Sequence, residues 1–107
     1  MTFEEFDKFQ DELFRECVKM RDTKGKEYAN SADRFANFNR IAQEVGVDPL
    51  LVAWIYTKKH LDSIAHFVKT KEEGVESIRG RFVDAIVYLS LMAGIVREKC
   101  NKGIGGN

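Results

Sequence analysis

The chain reads as an all-α, four-helix, bundle-like domain that assembles with copies of itself. Three observations carry that expectation. Apolar residues recur at three- and four-residue intervals nearly throughout its 107 residues. Start and stop signals divide that periodicity into four runs. No alternating or β-branched run that would read as a strand is visible. The length suits one core, so a single domain over 1–100 and a flexible tail over 101–107 are expected.

The first helix is expected over 3–22. Thr2 and Glu5 have the spacing of a capping box. Phe6, Phe9, Leu13, Cys17 and Met20 follow as one stripe. Thr23 to Asn30 is polar and holds Gly25, so it reads as a loop. Ser31 is a candidate cap for the second helix, whose Phe35, Phe38, Ile41, Ala42 and Val45 share a side and which Gly46 ends. Asp48-Pro49 is a strong start signal, an N-cap residue before proline at the first helical position. The third helix should run from Pro49 to about Lys69, with Trp54 packing into the core, until Lys71-Glu72-Glu73-Gly74 breaks it.

The fourth helix is expected from about Val75 to Glu98. Its main stripe is Val75, Ile78, Phe82, Ala85, Ile86, Leu89, Met92, Ala93 and Val96. Val83, Val87, Tyr88 and Leu91 add a second apolar side. One small chain cannot bury both sides, so this helix is expected to lie near a symmetry axis of a dimer or tetramer. The residues after Asn101 are rich in glycine and expected to fray.

Composition excludes several roles. Seventeen basic and seventeen acidic side chains cancel, which argues against broad binding to duplex nucleic acid. No apolar run is long enough to span a membrane. The acidic start lacks a signal-peptide pattern. Cys17 and Cys100 stand apart with no metal spacing and read as reduced thiols of a cytoplasmic protein. His60 and His66 lack the i, i+4 spacing of zinc ligands. A glycine-rich phosphate loop and a nucleophile elbow are both absent from the sequence.

Two stretches hold the chemistry: 24–38 and 58–64. Both crowd cations, carboxylates, amides and aromatics into otherwise plain helical sequence. A pocket for a phosphorylated, ring-containing ligand needs that mixture. Lys26, Lys58 and Arg79 are the candidate phosphate ligands, and Lys24, Arg34 and Lys59 are further candidate ligand-binding residues. Tyr28 and Tyr88 are the candidate faces for a base, with Tyr28 the first choice for stacking. Asn37 and Asp84 are the candidate readers of a base edge or ribose, and Asp62 is a candidate to orient Lys58 or bind a metal ion. Each has a plainer account. Lys58–Asp62 is an i, i+4 salt-bridge spacing. Asp84, set in an apolar stretch, is costly unless paired, and Arg81 three residues earlier is its nearest cation in sequence.

Taken in order, Lys26-Glu27-Tyr28, Asp33-Arg34-Phe35-Ala36-Asn37-Phe38, Trp54, Lys58-Lys59-His60-Leu61-Asp62-Ser63-Ile64 and Glu76-Ser77-Ile78-Arg79-Gly80-Arg81 with Asp84 and Tyr88 resemble small phage and prophage proteins. Those proteins are distant relatives of the MazG-like all-α nucleoside triphosphate pyrophosphatases and of nucleotide-modification-associated domains. The resemblance covers about residues 20–98. It implies nucleotide as the ligand, a bacterial host cytoplasm as the setting and, for the enzymes, Mg2+ held by Glu-x-x-Glu and Glu-x-x-Asp pairs. This chain departs from that pattern: Glu76 and Asp84 are eight apart, and Asp62 has cations as neighbours. The first expectation is therefore a protein without cofactor that sequesters a phosphorylated nucleotide signal, by analogy a cyclic dinucleotide, as phage anti-defence sponges do. The alternative is a Mg2+-dependent pyrophosphohydrolase, with Glu27, Asp62, Glu76 and Asp84 as metal ligands. The third reading is a helical protein-interaction module.

Overall fold

The computed structural model describes residues 1–27 and 33–101, the side chains of 24–27 and 101 excepted. It is all-helical: α1 is Phe3–Glu27, α2 Ala36–Val45, α3 Pro49–Thr70 and α4 Ile78–Asn101.

Local chemistry explains most of the ends. Thr2 and Glu5 form the reciprocal capping box, with each backbone N–H 3.1 Å from the other's side-chain oxygen. Gly46 closes α2 at φ 74°, in the left-handed region that glycine enters without strain. Asp48 Oδ1 accepts from the Leu50 N–H at 2.8 Å and so caps α3. Lys71, at φ 60°, ends α3 in the same left-handed conformation.

Three boundaries differ from expectation. α1 continues through Thr23 to Glu27. Gly25 costs a helix only about 1 kcal/mol, and its neighbours are tolerated in helices. α2 starts at Ala36, where Asp33 Oδ1 accepts from the Phe35 N–H at 3.0 Å. The expected Ser31 cap lies outside the described residues. α4 starts at Ile78 rather than Val75. Ser77 Oγ accepts from the Gly80 N–H at 3.1 Å, which is the N-cap bond, and Glu73 accepts from the Ile78 N–H at 2.9 Å. Val75 lies before that cap and is fully exposed.

Backbone packing runs in the order α1, α4, α3, α2. α3 and α4 are antiparallel neighbours, as their short connection predicts. The four helices form an open run rather than a closed ring. Among the described residues, the helix that α1 packs on is α4, through Leu13, Cys17 and Met20 against Val83, Ile86, Val87 and Leu91. α2 packs on α3, and Phe38, Ala42, Val52, Ala53 and Ile95 make the other core cluster. Side chains from the start of α2 also reach α4. A Cβ on Gly94 would stand 2.9 Å from the tip of the Phe35 ring, so this close approach requires glycine.

The main stripe of α4 does not stay on one side: its Ala85 is buried and its Ile86 and Met92 pack against the core clusters, while other members are exposed. Val83 and Val87, read as the additional side, are buried within the chain. Phe82, Leu89 and Val96, read as the main stripe, are each 45% exposed. On α3, Trp54 is also exposed, with Leu51 and Ile55 beside it, rather than packed in the core. Val52, Ala53 and Thr57 face inward instead, because α2 and α4 pack on that side.

Candidate functional site

Two i, i+4 pairs face each other across α3 and α4. Tyr56 and His60 come from α3, and Asp84 and Tyr88 from α4. Residues four apart share a helix face, and the antiparallel pairing sets Tyr56 against Tyr88 and His60 against Asp84. The Tyr56 and Tyr88 rings stack at 6.2 Å with 25° between planes. His60 lies 5.0 Å from Tyr88. Phe38, from α2, completes the group at 6.0 Å from Tyr56 and 6.3 Å, edge-on, from Tyr88. Each such ring pair contributes roughly 0.5–1.5 kcal/mol beyond its buried area. Four rings from three helices thus form one shelf, whose exposed edge is Tyr56.

Asp84 is where an apolar helix would least tolerate a carboxylate. Its Oδ2 is 3.8 Å from His60 Nδ1, and both side chains are only 12% exposed. Protonation of His60 would convert this contact into an ion pair in a region of low dielectric. The shelf therefore carries a polar pair at its inner end.

One helical turn nearer the α3–α4 connection lies a cavity of about 280 Å³. Asp62, Ser63, His66 and Phe67 line it from α3, Glu72, Glu73, Gly74 and Glu76 from the connection, and Ile78 and Arg81 from α4. Arg81 Nη1 is 3.5 Å from Glu76 Oε2. Four carboxylates with one guanidinium favour ligand groups that donate hydrogen bonds, such as sugar hydroxyls and base amines. A phosphate is favoured there only when a cation accompanies it.

The structure distributes the expected site residues among several places. Asp84 and Tyr88 are in the shelf. Asp62 and Glu76 line the cavity. Lys58 pairs with Asp62 on the exposed side of α3. Lys59 is exposed and follows Tyr56 by three positions, along the edge of the shelf. Arg34 Nη1 donates to the Arg21 carbonyl at 3.1 Å. Asn37 Oδ1 accepts from Arg40 Nη2 at 2.8 Å. Arg79 faces α1: its Nε is 2.9 and 3.1 Å from the two Glu16 carboxylate oxygens, and its guanidinium sits 5.2 Å from the Phe9 ring centre. The hydrogen bond from Arg79 holds the Glu16 carboxyl below its ordinary pKa, and the same bond raises that of Arg79. Lys24, Lys26, Glu27 and Tyr28 have side chains outside those described. Among the described residues, no three His, Cys, Asp or Glu side chains form a group suited to hold a metal ion.

Sequence reasoning names Phe38, His60 and Arg81 only within motifs and does not single out Tyr56, all of which the structure brings into the candidate site. The available signal was the matching spacing of Tyr56/His60 and Asp84/Tyr88 on two helices joined by a short connection. The chain matches no known family model, no curated protein and no solved structure.

Proposed function

We propose that the chain is a homo-oligomeric, cytoplasmic nucleotide-binding protein that holds a phosphorylated nucleotide without cleaving it. One observation carries this reading: a four-ring aromatic shelf with Asp84 and His60 at its inner end, one turn from a carboxylate-lined cavity of about 280 Å³. A base stacks on Tyr56 and Tyr88, where each stacked base is worth roughly 1–3 kcal/mol. Ribose hydroxyls and base amines meet Asp62, Glu76 and Asp84, which accept hydrogen bonds. Lys59 at the exposed edge and Lys58 beside the cavity meet the phosphate. By analogy of role with phage sponges, the ligand is a nucleotide immune signal, and a cyclic dinucleotide is the first member of the class to try.

A second reading has its own support. Asp62 and Glu76 line one cavity, with Asp84 a turn away, and two of these acids holding Mg2+ would favour a nucleoside triphosphate pyrophosphohydrolase. One experiment separates the readings. The protein is incubated with a nucleotide panel including cyclic dinucleotides, with Mg2+ or with EDTA, then heat-denatured, and the released material is analysed. Depletion from solution followed by recovery of intact ligand, unchanged by EDTA, is expected. Monophosphate and pyrophosphate that form only with Mg2+ would establish the hydrolase. No depletion and no products would defeat both and leave the interaction-module reading.

A further inference from the structure

The cavity at the α3–α4 connection suits a neutral base better than a phosphate. Asp62, Glu72, Glu73 and Glu76 line it together with one guanidinium, that of Arg81, so a bare anion is repelled. Two of these carboxylates already have partners: Asp62 pairs with the Lys58 ammonium, and Glu73 accepts from the Ile78 N–H at 2.9 Å. Ile78 and Phe67 give the cavity an apolar wall. Phe67 is half-buried and lies outside both described core clusters, which leaves its ring face to the cavity. The volume of about 280 Å³ falls just below the roughly 300–1,000 Å³ of sites that enclose drug-sized ligands, which suits part of a nucleotide.

Arg81 narrows the ligand chemistry. Its side chain is 20% exposed, so most of its hydration is gone. Yet its ion-pair partner, Glu76, stands at 3.5 Å, beyond the about 2.7–2.9 Å of a charge-assisted hydrogen bond. Arg79, two residues earlier, shows the contrast: it is more exposed, and it meets Glu16 at 2.8 to 3.1 Å. A guanidinium that has left water needs acceptors. Beside it, Glu76 is 57% exposed and, when ionised, can only accept. The cavity therefore presents a donor fork and an acceptor pair side by side.

We propose that this cavity takes a guanine base, with Glu76 accepting from N1–H and the 2-amino group and Arg81 donating to O6 and N7. Along its rim guanine runs 2-amino, N1–H, O6, N7: two donors followed by two acceptors. A carboxylate next to a guanidinium complements that order. Adenine alternates acceptor, donor, acceptor over N1, the 6-amino group and N7. A carboxylate placed there meets one donor, with a ring-nitrogen lone pair on either side of it. This inference rests on the nucleotide reading of the proposed function and names the base. A ligand with two bases then has a place for each, the cavity and the aromatic shelf.

Equilibrium dialysis of the full chain tests it, with GMP, AMP, guanosine and the cyclic dinucleotides of guanine and of adenine as probes. Guanine nucleotides are expected to bind on the order of 10- to 100-fold more tightly than their adenine counterparts, the discrimination of a bidentate contact. Glu76→Gln changes an exposed side chain and turns one acceptor into a donor. It is expected to weaken guanine binding roughly tenfold or more and to strengthen adenine binding, because an amide matches adenine's alternating edge. Arg81→Lys keeps the charge and loses the fork, and is expected to weaken guanine binding roughly tenfold. Equal binding of the two bases, or a guanine preference unchanged in Glu76→Gln, overturns the assignment and leaves the nucleotide reading standing. Guanosine held as tightly as GMP keeps the guanine assignment and overturns the phosphate part of that reading. Failure of every probe to bind wild type overturns both.

Discussion

Gly94→Ala sets two effects of similar size against each other. Replacing a glycine inside a helix with alanine stabilises it by about 0.8–1.0 kcal/mol, through lower chain entropy when unfolded. Gly94 lies well inside α4, so propensity alone predicts a gain. The structure predicts the opposite sign. The new Cβ would stand 2.9 Å from Phe35 Cζ, while carbon atoms attract best at about 3.5–4.0 Å. The ring must therefore retreat by more than half an ångström, and Phe35 is packed against the Phe38–Val52–Ile95 cluster. Overpacking of this kind costs roughly 1–3 kcal/mol. The difference is a net loss of about 1 kcal/mol. It should appear as a lower midpoint in urea at unchanged slope, and as a drop in Tm of roughly 4–8 °C at fixed protein concentration. Phe35→Leu removes the ring tip, so the double variant should be more stable than the two single losses add up to. A Gly94→Ala protein more stable than wild type, by the amount propensity allows, would refute the close approach of α2 to α4. It would also weaken the placement of Phe38 in the shelf, since both phenylalanines are carried by that docking.

Three further outcomes are expected. Tyr88→Phe should bind nucleotide nearly as wild type, because the ring face remains, and Tyr88→Ala should lose roughly tenfold or more by equilibrium dialysis; equal binding by both would remove Tyr88 from the site. Thr57, fully buried, donates to the Ala53 carbonyl at 2.7 Å and contacts Met92 Sδ at 3.3 Å; Thr57→Val, which leaves no buried donor behind, should change stability by less than about 1 kcal/mol, whereas Thr57→Ala should cost more because it opens a cavity. Acid should destabilise the fold through two carboxyls held below their ordinary pKa: Asp48, by the hydrogen bond from Lys99 and then by that from the Leu50 N–H, and Glu16, by the hydrogen bond from Arg79. Lowered folded values mean that this stability is complete above the unfolded values near about 4 and is lost as pH falls through the folded ones. Denaturation midpoints should therefore be flat from pH 7 to 5 and decline below about 4.5, less steeply in Asp48→Asn/Glu16→Gln; identical slopes in variant and wild type would dismiss both contacts.

What could be read in advance followed a physical division between local and non-local information. The capping box at Thr2–Glu5, the Gly46 stop and the Asp48-Pro49 start are settled by bonds spanning two to four residues, so the residues themselves reveal them. Ser77 is equally local, but the apolar Val75 ahead of it extended the helical period and hid the cap. The sides of α4 needed different information. Periodicity shows that two apolar sides exist, and only the positions of α1 and α3 determine which one the chain itself covers. Asp84 stood out because a carboxylate among valines and isoleucines needs a reason. Its neighbour His60 did not, because the pairing is a register between two helices. Arg79 illustrates the same limit from the other direction. Its place in a motif-like segment rather than a solvated charge run suggests a phosphate ligand, yet Glu16, 63 residues earlier, meets it with both carboxylate oxygens. An exposed pair of this kind adds little stability, but it occupies the guanidinium, and a phosphate would have to displace Glu16 to use it. Among the described residues no carboxylate pairs with Lys59, which follows Tyr56 by three positions, so the cation with the plainest sequence context is the one whose removal should most weaken nucleotide binding.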